Sequence, residues 1–303
     1  MSVMKVHGIT IDDTFAEAFG MSATGVIITA DSPRWARQAA VTMSGFGTSV
    51  IGCGAEVGID RELKPEETPD GRPGVRVLLF GFSPDAIGPQ LKNRVGQCVL
   101  TSPGSACYAG VKSKTKVGLG QGPRFFGDGF QTAKRLGKTR YWRVPVMDGE
   151  FIVEESTDVV TDTVGGGNVL ILGNDRAGLL TTAEAAVAAI GEVPDVITPF
   201  PGGIVRSGSK VGSKYKGMVA STNDAFCPTL RGRVKSELGP DTVAVLEIVI
   251  DGLTSDAVAA AMRAGIKTIL ATGPAKGVTR ISAGNYGGKL GQHHYHLKEL
   301  LPS

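Results

Sequence analysis

The chain of 303 residues has only four cysteines, Cys53, Cys98, Cys107 and Cys227, and none forms a Cys-x-x-Cys pair. That spacing argues against a zinc ribbon or a disulfide framework and predicts reduced thiols used as small buried hydrophobes. Histidines are equally few: His7, His293, His294 and His296. Neither a Ser-His-Asp triad nor a Cys-His dyad is suggested by so small a set. Charge of one sign is missing too, since 32 Lys and Arg face 29 Asp and Glu, giving +3 with no long basic block. A nucleic-acid partner is therefore not expected. No stretch approaches about 18 uncharged apolar residues, which excludes a helical membrane span. Residues 1–14 carry Lys5, His7, Asp12 and Asp13 where an export signal needs an apolar run. A cytoplasmic location is the expectation.

What the chain does have is apolar bulk and glycine. At 42% apolar it is long enough to bury one large or two ordinary cores. Its 43 glycines are about twice the usual share of roughly 7%. Many backbone positions must turn, or approach a ligand or another segment closely.

Periodicity orders the first half. A strand is predicted at Gly25–Ala30, and Asp31-Ser32-Pro33 then supplies an N-cap and a proline suited to the first helical turn. The helix carries Trp35, Ala36, Ala39, Ala40 and Met43 on one face and ends at Gly45. Strands are predicted at 48–53 and at Val75–Phe82, and Ser83-Pro84 opens a second helix with Ile87, Leu91, Val95, Cys98 and Val99 aligned. The same order returns in the second half. There a strand at Asn168–Gly173 leads to a helix bearing Leu180, Ala183, Val187 and Ile190, followed by a short strand near 195–198. After a long loop, a strand at Val243–Ile250 leads to a helix capped by Thr254 or Ser255, with Val258, Met262, Ile266 and Ile269 on one face. The predicted fold class is α+β: two similar ferredoxin-like α/β-sandwich lobes from an internal duplication, 1–160 and 161–303, joined across the glycine-rich stretch 156–167.

One residue breaks the apolar pattern with chemical consequences. Glu247 is the only charge in the run Val243–Ile250, where desolvation should raise its pKa and keep it protonated near neutrality. The alternative is a solvent-facing position sharing a face with Val243, Val245 and Val249. Other motifs carry less. Gly137-Lys138-Thr139 lacks the earlier glycine and the strand of a phosphate loop, and Gly165-Gly166-Gly167 precedes a strand instead of linking strand to helix. On a strand only His294 and His296 would share a face, so no metal site is expected.

Several segments carry a family resemblance. They include Thr14-Phe15-Ala16-Glu17-Ala18-Phe19, Thr68-Pro69-Asp70-Gly71-Arg72-Pro73-Gly74, Phe125-Phe126-Gly127-Asp128-Gly129 and Gly149-Glu150-Phe151-Ile152-Val153-Glu154. In the second half they include Phe200-Pro201-Gly202-Gly203-Ile204, Ser209–Lys214, Ser221–Ala225 and Ile281–Gln292. Over nearly its whole length the chain resembles formylmethanofuran:tetrahydromethanopterin formyltransferases, in the form found as one component of a bacterial formyltransferase/hydrolase complex. It departs from them mainly in 108–121, 210–219 and 230–237, in length and charge. The archaeal members are markedly acidic, whereas this chain is slightly basic with a pI near 8.6, which favours the bacterial setting.

The resemblance implies an acyltransferase of one-carbon metabolism that moves a formyl group between tetrahydromethanopterin and the amine of methanofuran or an analogue. In bacteria the reaction serves formaldehyde oxidation to formate, and in methanogens it runs in reverse. It also implies that both carriers are co-substrates with no metal or permanently bound cofactor. The protein would be a homo-oligomer, dimer or tetramer, associated with other subunits of a hydrolase complex. The family's catalytic glutamate falls on Glu247. The substrate-binding set expected on the same basis is Ser207, Ser209, Lys210, Ser213, Asn223, Asp224 and Asn285. Read alone, the serine- and lysine-bearing loop suits anionic or carbonyl groups of a carrier, with an ordinary solvated loop as the alternative, while Asn223 and Asp224 are equally turn formers and Asn285 with its glycines equally a bulge. Two other functions compete: a non-catalytic subunit presenting a formylated carrier to a hydrolase, and a folate-dependent transformylase, whose Asn-His-Asp set is not apparent here.

Overall fold

A computed structural model describes residues 4–301. The chain opens on a hairpin, β1 (Met4–Val6) and β2 (Ile9–Ile11), and then enters β3 (Phe15–Thr29). There follow α1 (Pro33–Ser44), the one-turn α2 (Val50–Cys53), β4 (Glu56–Leu63), β5 (Gly74–Gly81), α3 (Pro84–Arg94) and β6 (Ala106–Ala109). Next come β7 (Thr115–Gly118), a meander of β8 (Thr132–Leu136), β9 (Thr139–Val146) and β10 (Gly149–Glu154), and the long β11 (Ser156–Gly173). The chain continues through α4 (Arg176–Gly191), β12 (Val196–Ile197) and a ribbon of β13 (Lys210–Val211) and β14 (Ala220–Ser221). It finishes with β15 (Ala244–Gly252), α5 (Ser255–Thr272), β16 (Val278–Ser282) and β17 (His293–His296).

Two compact units result. A central unit runs Met21–Thr163, and a split unit unites the described residues up to Gly20 with those from Val164 onward. Each contains one β-α-β-β-α-β motif. In the central unit the sheet order is β4-β5-β3-β6, and in the split unit it is β12-β15-β11-β16, with antiparallel neighbours throughout. The two orders are the same when each motif's strands are counted from its first, which is the repeat read from the sequence. The central sheet extends from β6 through the parallel β10 to β9 and β8. Residues 137–138 are therefore a hairpin turn and hold no phosphate loop.

The helix starts obey their caps. Ser32, Ser83 and Thr254 accept from the backbone N–H three residues on, and Pro33 and Pro84 occupy the first turns. In the split unit, Val169 and Ile171 of β11, Ile248 and Ile250 of β15 and Ile281 of β16 form one core with α4 and α5. Alternation along β15 turns Val245, Glu247 and Val249 to the opposite face.

Several expectations need correction. The residues up to Gly20 belong to the split unit because β2 pairs in parallel with β16 (Thr10↔Arg280, Ile11↔Ile281), burying Ile9 and Ile11 there. The stretch 156–167 is strand, not linker. Its glycines serve a register shift between Val164 and Gly167, where Gly166 sits at φ +88° and donates to Asp251, and a Cβ on Gly167 would lie 2.5 Å from Val258. Residues 50–53 are helical, because the Glu56 carboxylate accepts from the Val50 N–H and Gly54 closes the turn in the left-handed region. The strand expected at 48–53 instead begins at Glu56. The second helix is regular only to Arg94, and Val95–Val99 is a π-helical turn. In α4 the buried stripe is Leu179, Ala183, Ala186 and Ile190, leaving Leu180 exposed. Of the cysteines only Cys107 is buried; Cys53, Cys98 and Cys227 are partly exposed free thiols.

Candidate active site

The site is built on the face of the split-unit sheet away from its helices. β15 brings Glu247 opposite Leu170 of β11. After β12 the chain returns to the β15 edge at Val205, which exchanges two backbone hydrogen bonds with Glu247 at 2.7 and 2.9 Å. This pairing fixes the strand around the glutamate and sends residues 206–243 over the opposite face.

Glu247 lies on a cavity of about 510 Å³, together with Asn168, Ser209, Lys210, Asn223, Phe226, Arg280, Asn285 and Tyr286. Among the described residues its carboxyl has no hydrogen-bond or ion-pair partner, and burial alone raises its pKa from 4.5 to about 7. Several charges around it are held in pairs. Arg280 grips Asp12 through Nε at 2.7 and 2.9 Å, Lys298 holds Asp13 at 2.7 Å, and Lys210 Nζ lies 2.5 Å from Asp224. The Lys210 hydrogen bond lowers the Asp224 pKa. Asn168 secures Gly284 by accepting from its N–H at 2.6 Å and donating to its carbonyl at 3.1 Å, so the β16 exit is anchored beside the cavity.

One further space adjoins Glu247, and a larger one shares walls with it. A small cavity of about 30 Å³ is lined by Glu247, Ser207 and Asn223, and it shares Val205, Ser207, Val245 and Leu246 with an apolar cavity of about 800 Å³. The latter is walled by Leu179, Phe200, Pro201, Ile204 and Val243 with Arg176 and Arg206 at its margin. A neutral acid that lines the polar cavity and the small space next to it can donate a hydrogen bond to a carbonyl that passes between two substrates.

Five of the eight expected residues, Glu247, Ser209, Lys210, Asn223 and Asn285, line the polar cavity, and Ser207 lines the two adjoining ones. Asp224 pairs with Lys210. Ser213 accepts from the Tyr215 N–H and lines none of the three. The face that Glu247 shares with Val245 and Val249 was the solvent-facing alternative, but residues 206–243 convert it into cavity wall. Sequence reading missed Asn168, Arg280 and Tyr286, although a polar residue opening the apolar run of β11 was a usable signal for the first. Two exposed histidines of β17 lie against Phe15, whose ring centroid is 4.7 Å from His294 and 5.2 Å from His296.

The comparisons with known proteins agree along the whole chain. Residues 4–146 match the model described as formylmethanofuran-tetrahydromethanopterin formyltransferase, and residues 149–300 match that family's proximal lobe. The chain is 60% identical over 306 residues to a subunit of the formyltransferase/hydrolase complex of Methylorubrum extorquens, covering 99% of this chain and 98% of that one. It is 58% identical to the formylmethanofuran–tetrahydromethanopterin formyltransferase of Methylobacillus flagellatus, over 98% of this chain and 100% of the relative. Among solved structures, the formyltransferase/hydrolase complex of M. extorquens with methylofuran superposes at a TM-score of 0.97, with 59% identity and 100% of both chains covered. The Methanosarcina barkeri formyltransferase gives 0.91 at 45% identity, over 98% of this chain and 100% of that one. The chain belongs to the formylmethanofuran–tetrahydromethanopterin formyltransferase family.

Proposed function

We propose that this chain transfers a formyl group between tetrahydromethanopterin and the amine of a methanofuran-type carrier, with Glu247 as the acid that serves the formyl oxygen. The observation that carries this reading is the unpartnered Glu247 carboxyl lining both the polar cavity and the small one beside it, with a pKa raised to about 7 by burial. The accepting amine attacks the formyl carbon, and the carbonyl oxygen gains negative charge as the tetrahedral intermediate forms. The protonated Glu247 donates a hydrogen bond to that oxygen. Collapse expels the first carrier's nitrogen, which gains a proton while the attacking nitrogen loses one. One amide-like bond breaks as another forms, so the step is close to balanced and supply sets its direction.

Ser207, Ser209, Lys210, Asn223 and Asn285 are assigned to carrier contacts, with Asp224 holding Lys210 in place. The M. extorquens relative is part of a formyltransferase/hydrolase complex crystallised with methylofuran. By analogy this chain works with hydrolase subunits in the cytoplasm, as a homo-oligomer, and accepts a furan carrier of that kind. No helix among the described residues is long and apolar enough to cross a membrane. A non-catalytic presenting subunit would have no use for an unpartnered acid at the meeting of two cavities.

The test is formyl exchange by the purified chain with formylmethanofuran and tetrahydromethanopterin, run beside tetrahydrofolate. Turnover with the pterin carrier of methanogens and not with folate is expected. Carrier binding without turnover would leave the presenting-subunit role in its place.

A further inference from the structure

Glu17 is a second acid in an apolar setting, and the reaction scheme does not use it. It sits on β3 between the buried Ala16 and Ala18 and is itself 1% exposed. Burial opposes its charge, yet its pKa is lowered to about 2, because four backbone N–H groups converge on the carboxylate. Oε2 accepts from Tyr286 at 2.6 Å and Gly288 at 2.8 Å, and Oε1 accepts from Leu290 and Gly291, both at 2.7 Å. Every one of these donors belongs to the turn between β16 and β17, the segment that carries Asn285 and Tyr286 into the cavity of Glu247. The backbone is shaped for this grip. Gly287 and Gly288 have φ of +81° and +71°, and a Cβ on Gly291 would collide with the Ala18 carbonyl. The entry to the turn is fixed separately, by Asn168 and by the Glu17 N–H donating to the Gly284 carbonyl at 3.1 Å.

We infer that Glu17 is a positioning residue for formyl transfer: its carboxylate gathers the 286–291 turn so that Tyr286 closes the cavity wall beside Glu247. The inference rests on the assignment of Glu247 above. Only an ionised carboxylate suits the task, since it offers acceptor sites on both oxygens and no donor, whereas a glutamine amide would turn an NH₂ group toward two N–H donors. Tyr286 lies close enough to Glu247 for the carboxylate charge, after burial, to raise the phenol pKa, so the tyrosine stays a protonated and polar part of that wall. Around Glu247 the other charged residues of the cavity, Asp12, Asp13, Lys210, Glu237 and Arg280, come from outside the turn. Loosening the turn therefore changes the water access of Glu247 while leaving those charges in place.

The experiment compares the pH dependence of kcat for the wild type, Glu17→Gln and Gly287→Ala, with melting curves recorded alongside. A Cβ at Gly287 meets nothing within 4 Å, so this second variant strains the turn through its backbone alone and leaves the carboxylate intact. Both variants should lose about 10–100-fold in kcat with less change in KM. In both, the alkaline limb belonging to Glu247 should move to lower pH as water reaches it. Folded variants with an unmoved limb would overturn the inference, even if activity or melting temperature fell, because that pattern marks a merely structural residue. If Glu17→Gln does not fold, the limb of Gly287→Ala decides by the same criterion. A Glu247→Gln enzyme that keeps the wild-type limb would instead reject the assignment of Glu247, which separates the two failures.

Discussion

Replacing Glu247 by glutamine should stabilise the protein above pH 7 and leave its stability nearly unchanged near pH 4.5. The wild-type carboxyl is raised from 4.5 to about 7 in the folded state, so between these values the folded chain holds a proton that the unfolded chain has released. Stability then falls as pH rises through that window and levels off above it. At 1.36 kcal/mol per pKa unit the whole displacement corresponds to about 3 kcal/mol, an upper figure because water in the cavity shares the charge. Glutamine is nearly isosteric and never ionises, so it removes this penalty without opening a hole. Urea unfolding at pH 5, 6, 7 and 8, at one protein concentration, reads the difference directly. With a slope of about 3 kcal/mol/M, the variant midpoint should exceed the wild-type midpoint by up to roughly 1 M at pH 8 and converge with it at pH 5. A midpoint difference that is constant across this range, or a less stable variant at pH 8, would show that Glu247 is not held neutral by burial.

Gly167→Ala should cost about 1–3 kcal/mol, because the new methyl would lie 2.5 Å from Val258 in the packed sheet–helix layer; Gly191→Ala, which meets nothing within 4 Å, should be near neutral, and paired melting curves check both. Apparent affinity for a furan carrier with an anionic tail should weaken as salt rises if Lys210 meets that tail, and a flat response from low to high salt would remove the lysine from the contact set. Sedimentation of the active enzyme should show a dimer or larger species, against which a fully active monomer would count.

The fold was legible wherever local chemistry acts alone. Ser32-Pro33 and Ser83-Pro84 mark helix starts within two residues each, and the capping Thr254 does the same for α5. The repeat was visible because each β-α-β-β-α-β motif keeps its own periodicity. Errors gathered where long-range contacts overrule local signals. Residues 156–167 look like a linker by glycine content, yet β11 uses Gly166 and Gly167 to admit a bulge and a close helix. Nothing in residues 4–20 says that β2 will pair with β16 some 270 residues later. The site followed the same division. Glu247 stood out as a lone charge in an apolar run, while Glu17 was hidden because its partners are backbone N–H groups, which have no sequence signature. Tyr286 sits on a turn whose shape depends on those same unseen bonds, and Asn168 was hidden likewise because its partner is the Gly284 backbone.

Formyl transfer by this chain depends, on the reading given above, on Glu247 acting as a neutral acid on the formyl oxygen, and kcat for Glu247→Ala and Glu247→Gln with both carriers measures that dependence. The alanine variant should fold and lose about 10²–10³-fold in kcat, the size expected for removing one oxyanion donor. Glutamine can still donate a hydrogen bond but cannot exchange a proton, so it should retain most activity if donation is the whole role. A loss matching that of alanine would mean that Glu247 also carries a proton between the two nitrogens. A folded alanine variant turning over at the wild-type rate would mean that Glu247 has no part in the chemistry.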